Sequence, residues 1–135
     1  MTMKVVIAGT RYVDPVNKIP FDDYGLVIQA VQRSGYTIKE VVSGQAIGVD
    51  KLGEMWAQAN DCEIRYMPVT PQEWTKYGKA AGPMRNRRMA EYCDAAVIIW
   101  DGVSPGTRNM IDEMIRVKKP YYIGMTKSTV EDFMK

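Results

Sequence analysis

The chain contains no histidine, and that single absence removes several mechanisms. A Ser-His-Asp triad, a Cys-His pair and a histidine-ligated zinc site are all excluded within it. Cysteine is nearly as scarce. Cys62 and Cys93 are the only two, too few for a structural zinc site and in keeping with a reduced, cytoplasmic protein whose thiols stay unpaired. No apolar run approaches the roughly 20 residues a membrane span needs, and residues 1–4 do not open a signal peptide. A one-sided charge is missing too: the net of +2 gives no reason to expect a nucleic acid or a membrane surface as partner. Neither G-x-G-x-x-G nor G-x-x-x-x-G-K-[ST] occurs, so the dinucleotide fingerprint and the P-loop are both absent. Any chemistry has to come from carboxylates, arginine, lysine, tyrosine, hydroxyls, backbone amides or a bound ion.

What remains is an ordinary globular composition. With 135 residues, 46% of them apolar and 25% charged, the chain is long enough for one domain (residues 1–135) around a real core. It shows no internal repeat, linker or low-complexity tract. Residues 4–9 (KVVIAG) and 95–100 (AAVIIW) are continuous apolar runs, the pattern of parallel strands buried on both faces. Further strands are expected at 38–43, 63–68 and 120–124. Helices are expected from Asp22 or Asp23 to about Arg33, with Gly35 as C-terminal cap, and over 51–60, with Leu52, Met55, Trp56 and Ala59 facing the core. Thr70 and Pro71 open a short helix, residues 14–20 read as a loop and 76–83 as a break. Later helices are expected at about 84–92, 108–117 and 127–135. Strand and helix alternate throughout, which predicts an α/β fold: a three-layer α/β/α sandwich with a mostly parallel sheet of about five strands.

The most informative stretch is 41–50 (VVSGQAIGVD). A β-branched pair crosses a turn containing Gly44 and Gly48 and enters a helix, leaving backbone N–H groups and the positive end of the helix dipole toward an anion such as phosphate. The same residues also suit a plain βα turn, and this stretch alone does not decide. Gly9-Thr10-Arg11, Ser43-Gly44-Gln45, Asp101-Gly102 and Gly106-Thr107 all fall at strand C-terminal ends, where open α/β sheets bind ligands. Together they predict a crevice for a phosphorylated, ribose-bearing ligand, with amides and arginine on the phosphate and Asp50 or Asp101 on ribose hydroxyls. Arg85, Arg87 and Arg88 in the first turn of a helix starting at Met84 would oppose its dipole. Arg85 is therefore expected to turn inward to a bound anion, with Arg87 and Arg88 on the surface. Trp100 reads as core or pocket floor. Trp74 and Tyr77 suit either packing or stacking on a base.

The set V-I-A-G-T-R (6–11), V-S-G-Q-A-x-G-V-D (42–50), E-W-x-x-Y-G-K-x-A-G-P-x-R-N (73–86), D-A-A-V-I-I-W-D-G (94–102) and S-x-G-T (104–107) resembles the SLOG superfamily. More closely it resembles the small YspA-like branch; the superfamily also holds the DNA-processing protein A fold and the Lonely guy phosphoribohydrolases. The likeness covers nearly the whole chain in order, and the 73–86 block is its most specific part. It implies a Rossmann-like domain binding nucleotides or nucleotide-derived signals, often as a homodimer or higher oligomer. Onto this chain it carries a ligand site of Gly9, Thr10, Arg11, Ser43, Gly44, Gln45, Gly48, Val49, Asp50, Arg85, Asn86, Asp101, Gly102, Gly106 and Thr107. The usual second glycine of the S-G-G turn is Gln45 here, which narrows the approach to the phosphate.

Lonely guy enzymes cut the N-glycosidic bond of nucleoside monophosphates, using an arginine in an R-K-x-x-M-like helix and a glutamate in P-G-G-x-G-T-x-x-E. The resemblance supplies Arg85 in R-N-R-R-M (85–89), but Gly106-Thr107 is followed by Arg108, Asn109 and Met110, without the glutamate. Of Asp112 and Glu113 further on, helical spacing lets only one face a pocket. Glycosidic cleavage normally needs a carboxylate, so the site lacks a part. The expected function is therefore binding, as a sensor or sequestering protein. The enzymatic alternative is a phosphoribohydrolase, with Arg85 on the phosphate and Asp101 or Glu113 as the carboxylate. A third reading is single-stranded DNA binding through Arg85, Arg87 and Arg88 with Lys76, Lys79, Trp74 and Tyr77, against which the near-neutral charge speaks. No metal and no cofactor is implied.

Overall fold

A computed structural model describes residues 2–126; the helix expected over 127–135 lies outside them. Five parallel strands form the main sheet: β1 (Met3–Gly9), β4 (Ile38–Ser43), β5 (Glu63–Tyr66), β6 (Ala95–Trp100) and β7 (Tyr121–Met125). Their order is β5-β4-β1-β6-β7. β1 is the central strand, and its stretch Val5–Ala8 is apolar throughout: Val5 pairs with Val41 of β4 on one side and Ala95 of β6 on the other. The chain builds outward from β1 through β4 to β5, then returns to the opposite side of β1 for β6 and β7. The reversal leaves a switch point between the C-terminal ends of β1 and β6.

The period of two along each strand sorts the core into two layers. Val5 and Ile7 join Val41, Val97 and Ile99 under α1 (Tyr24–Ser34) and α2 (Val49–Ala59). Val6 and Ala8 join Val42, Ala96 and Ile98 under α4 (Ala81–Tyr92) and α5 (Pro105–Val117). The caps are where the residues call for them. The Asp23 carboxylate accepts from Leu26 N at the start of α1, and Gly35 ends that helix at φ 73°. Thr70 and Glu73 form a reciprocal capping box at α3 (Pro71–Tyr77).

Three local expectations are corrected. Residues 14–20 are not simply a loop: β2 (Tyr12–Asp14) pairs antiparallel with β3 (Ile19–Pro20). The turn between them closes because the Asp14 carboxylate accepts from the backbone N–H of Val16 and Asn17, at 3.0 and 3.1 Å. The break before residue 84 is filled, because a single 3₁₀ turn over Gly78–Ala80 leads straight into α4 at Ala81. Proline is tolerated in a first helical turn, so Pro83 does not delay the start. Arg85 thus lies in the second turn and the dipole conflict disappears. On α2 the inward face is Val49, Leu52, Gly53 and Ala57 with Trp56 partly buried, whereas Met55 is 50% exposed and Ala59 is exposed.

Candidate functional site

Two connected lobes open at the C-terminal edge of the sheet. The larger, about 570 Å³, lies over the switch point and is lined by Gly9, Arg11, Asp50, Arg85, Asn86 and Asp101, with Gly106 and Thr107 from the start of α5. The smaller, about 250 Å³, lies beside it between the Gly44–Ile47 turn and Trp74. Arg11, Tyr12, Ala46 and Arg85 line both. Residues from β1, α2, α4 and α5, with the turns that follow β4 and β6, thus converge on one place.

The centre of the cleft is Arg85, only 6% exposed although arginine usually stays in water. Its Nη1 donates to the Gly44 carbonyl at 2.6 Å and its Nε to Asn86 Oδ1 at 3.1 Å. Asn86 is itself anchored, donating through Nδ2 to Asn109 Oδ1 at 2.9 Å and to the Gly106 carbonyl at 3.3 Å. The Arg-Asn pair therefore ties α4 to the start of α5 and fixes the guanidinium plane. Burial lowers the arginine's proton affinity, and Asp50 opposes that shift. Asp50 is equally enclosed; burial pushes its carboxyl up to about 6, with Arg85, the Ala46 amide and Arg11 drawing it back.

The turn at 43–48 does not work as its sequence suggests. Gln45 N–H donates to Ser43 Oγ at 3.0 Å, Ala46 N–H to Asp50 Oδ2 at 3.1 Å, and Val49 N–H to the Thr10 carbonyl at 3.2 Å. Those amides, expected to face a ligand, are spent inside the protein, and Asp50 supplies the anion at the N-terminus of α2. Ser43 is also engaged, donating from Oγ to Glu54 Oε2 at 2.6 Å. Gly48, at φ 86°, is the cap residue of α2, and a β-carbon there would stand 2.5 Å from the carbonyl oxygens of Thr10 and Arg11. Thr10, Ser43, Gly48, Val49 and Gly102 line neither lobe; they shape the turns around it.

The helix end that does open into the cleft is that of α5. Pro105 occupies its first turn, and no side chain caps its N-terminal amides. The Ser104 hydroxyl donates instead to Asp101 Oδ2 at 2.7 Å, while Asp101 Oδ1 accepts from Val103 N–H at 2.9 Å and Ser104 N–H at 2.7 Å. Burial works to raise the Asp101 carboxyl, but these hydrogen bonds prevail and hold it below its ordinary value. Asp101 is thus an ionised turn-former, suited to holding α5 in place and poorly suited to giving up a proton. Glu113, the other candidate carboxylate, is not brought to the cleft. It accepts from Arg116 Nε at 2.7 Å, and the lining from α5 stops at Met110. Asp112 does not line the cleft either. Arg87 and Arg88 face outward and pair with Glu91 (3.5 Å) and Glu73 (3.0 Å).

Sequence reasoning passed over Tyr12 as part of the cleft wall and Asn109 as the partner of Asn86. Tyr12 carries no local signal, being placed by the hairpin. Asn109 lies two residues beyond Thr107, at the start of the second turn of α5.

The order of the strands, the two helical layers and the cleft at the switch point make this a Rossmann-like α/β domain. The same fold occurs in the X-ray structure of DNA processing protein A from Streptococcus pneumoniae, to which the chain is similar at a TM-score of 0.69 and 18% identity. The superposition covers 96% of this chain and 53% of that one, so the chain spans about half the length of this neighbour. No family model and no curated protein matches the sequence. No helix among the described residues is long and apolar enough to cross a membrane.

Proposed function

We propose that the cleft binds a nucleotide or nucleotide-derived small molecule and that the protein acts as a sensor or sequestering protein. The observation that carries this reading is the convergence of Arg85, Arg11 and the uncapped N-terminus of α5 on one lobe. An immobilised guanidinium, a second cation and aligned amides together suit a phosphate. The volume of about 570 Å³ falls within the roughly 300–1,000 Å³ of small-molecule sites. Asp50 and Asn109 offer acceptors for sugar hydroxyls beside that phosphate. On this reading the chain belongs with the YspA-like branch of the SLOG superfamily and works in the cytoplasm as a homodimer or higher oligomer.

The second reading is a phosphoribohydrolase, and Asp50 is what favours it. A buried carboxyl with a raised proton affinity beside a phosphate-binding arginine is a candidate general acid for an N-glycosidic bond. Single-stranded DNA binding draws on the shared fold with DNA processing protein A. Against it stand the pairing of Arg87 and Arg88 with glutamates and the burial of Arg85, which leave Lys76 and Lys79 of the basic cluster for a DNA backbone.

The test is a mass-spectrometric inventory of small molecules released when the purified protein is denatured, followed by titration with nucleoside monophosphates. A stoichiometric nucleotide, or binding that is lost in Arg85→Ala, is the expected result. Recovery of free base and ribose phosphate, or cleavage on addition of substrate, would move the assignment to the hydrolase. A protein that releases nothing and is not stabilised by any nucleotide would overturn the reading.

A further inference from the structure

The smaller lobe shares Arg11 and Arg85 with the larger one and adds an indole that the larger one does not have. Ile47, Pro68, Val69 and Trp74 give it an apolar side, and Arg11, Tyr12, Gln45 and Arg85 are the polar side chains in its lining. Two features of these walls have no structural explanation in the fold.

The first is α3, which presents Trp74. A helix normally holds its place by burying one face. Among the seven residues of α3 none is buried. It is held by its capping box, by Pro71 at its start, and by Glu73, which pairs with Arg88 of α4 at 3.0 Å. Trp74, next to Glu73, is 46% exposed, so the largest apolar side chain of the helix is left facing the lobe rather than the core. The ion pair also links Trp74 to Arg85, since each is a near neighbour of one partner.

The second is Gln45, which holds φ at 60°, in the left-handed region that favours glycine. A glutamine there costs stability that a glycine would not. Its side-chain amide offers both a donor and an acceptor, the pair needed to read the edge of a heteroaromatic ring.

We propose that the smaller lobe is a subsite for a planar heteroaromatic ring, stacked on Trp74 and read at its edge by Gln45, with Arg85 between ring and phosphate. This rests on the nucleotide reading above and deepens it. The ligand would then lie across both lobes, its anionic end at α5 and its ring against α3.

The test compares ligands with and without the ring: AMP, GMP, CMP and UMP against ribose 5-phosphate, titrated into the full chain. Trp74→Ala is expected to weaken the best-bound nucleotide by about tenfold and leave ribose 5-phosphate unchanged, the scale of one lost base stack. Trp74→Phe, which keeps an aromatic face, is expected to restore most of that loss. Gln45→Gly is expected to raise the melting temperature by a few degrees while weakening the nucleotide, a combination that a purely structural glutamine would not produce. Equal losses with both kinds of ligand, or no loss in Trp74→Ala, would overturn the subsite. If Arg85→Ala still abolished nucleotide binding in that case, the phosphate site would stand without it. If the wild type bound none of these probes, both readings would fall.

Discussion

Arg85 and Asp50 meet over the α-carbon of Gly44. A β-carbon on that glycine would stand 2.4 Å from Arg85 Nη1 and 2.9 Å from Asp50 Oδ2. The two side chains come from α4 and α2, on opposite faces of the sheet, and the missing side chain is what lets them approach. Their opposite charges lower the cost of enclosing both, and hydrogen bonds from Arg85 to the Gly44 carbonyl and from Ala46 to Asp50 satisfy each end.

Gly44→Ala is accordingly expected to displace the guanidinium rather than unfold the protein, since its nearest obstacle is the end of a long side chain. Overpacking of this kind costs about 1–3 kcal/mol. Ligand affinity should fall by tenfold or more while the far-ultraviolet circular dichroism stays native. An unchanged affinity would show that Arg85 does not need this position.

Asp50 gives the protein a pH signature. Its carboxyl titrates near 3.8 when unfolded and at about 6 when folded. Between those values the folded state holds the extra proton, so this group's contribution to stability falls as pH rises and is fully lost above about pH 6. The loss is roughly 3 kcal/mol, taking about 1.4 kcal/mol per unit. Asp50→Asn can still accept from Ala46 N–H and does not titrate. Its melting temperature should therefore gain on that of the wild type from about pH 4 to pH 7. Parallel curves would rule out a strained carboxylate at this site.

Asp101 works in the opposite direction. Its folded proton affinity is lowered, so its contribution is present above pH 3.8 and is lost as pH falls through the folded value. Asp101→Ala removes three hydrogen bonds at the entry to α5 and is expected to cost about 1–2 kcal/mol, as for a lost helix cap. It should also weaken ligand binding, because α5 then has no fixed start. Glu113→Ala, which breaks only a surface ion pair with Arg116, is expected to cost under about 1 kcal/mol and leave binding intact. The reverse order of effects on affinity would return Glu113 to the candidate carboxylates.

Gly53 marks a close approach of α2 to the sheet. A β-carbon there would stand 2.8 Å from both Cβ and Cγ2 of Ile7, at the centre of β1. Gly53→Ala should cost about 1–3 kcal/mol by overpacking, read by denaturant unfolding, with no change in ligand affinity at saturating folded protein. A stabilised variant would mean that the helix can lift off the sheet without penalty.

Much of this molecule is legible in one dimension. Val5–Ala8 and Ala95–Ile99 announce strands buried on both faces because nothing polar interrupts them, and their alternation with helices dictates a parallel sheet and a cleft at its C-terminal edge. Asp23, Gly35, Thr70 and Pro71 mark helix ends because capping is local chemistry. Local rules failed where a residue is put to use by something distant or where two local rules compete. Pro83 reads as a break but fits a first turn, and Asp14 closes a hairpin that a proline-rich loop conceals.

The division is clearest in the turn from Ser43 to Asp50. Its glycines and its place after a strand were determined by the sequence alone, because conformational freedom and burial period belong to the residues themselves. Which groups in it face a ligand was decided by tertiary structure. Asp50 folds back on the amide of Ala46, and Arg85 arrives from 41 residues away to take the Gly44 carbonyl. Those bonds consume the anion site that the turn advertises and leave the role to the N-terminus of α5. A hydrogen bond between elements depends on how helices pack across the sheet, and no spacing within a single stretch records that.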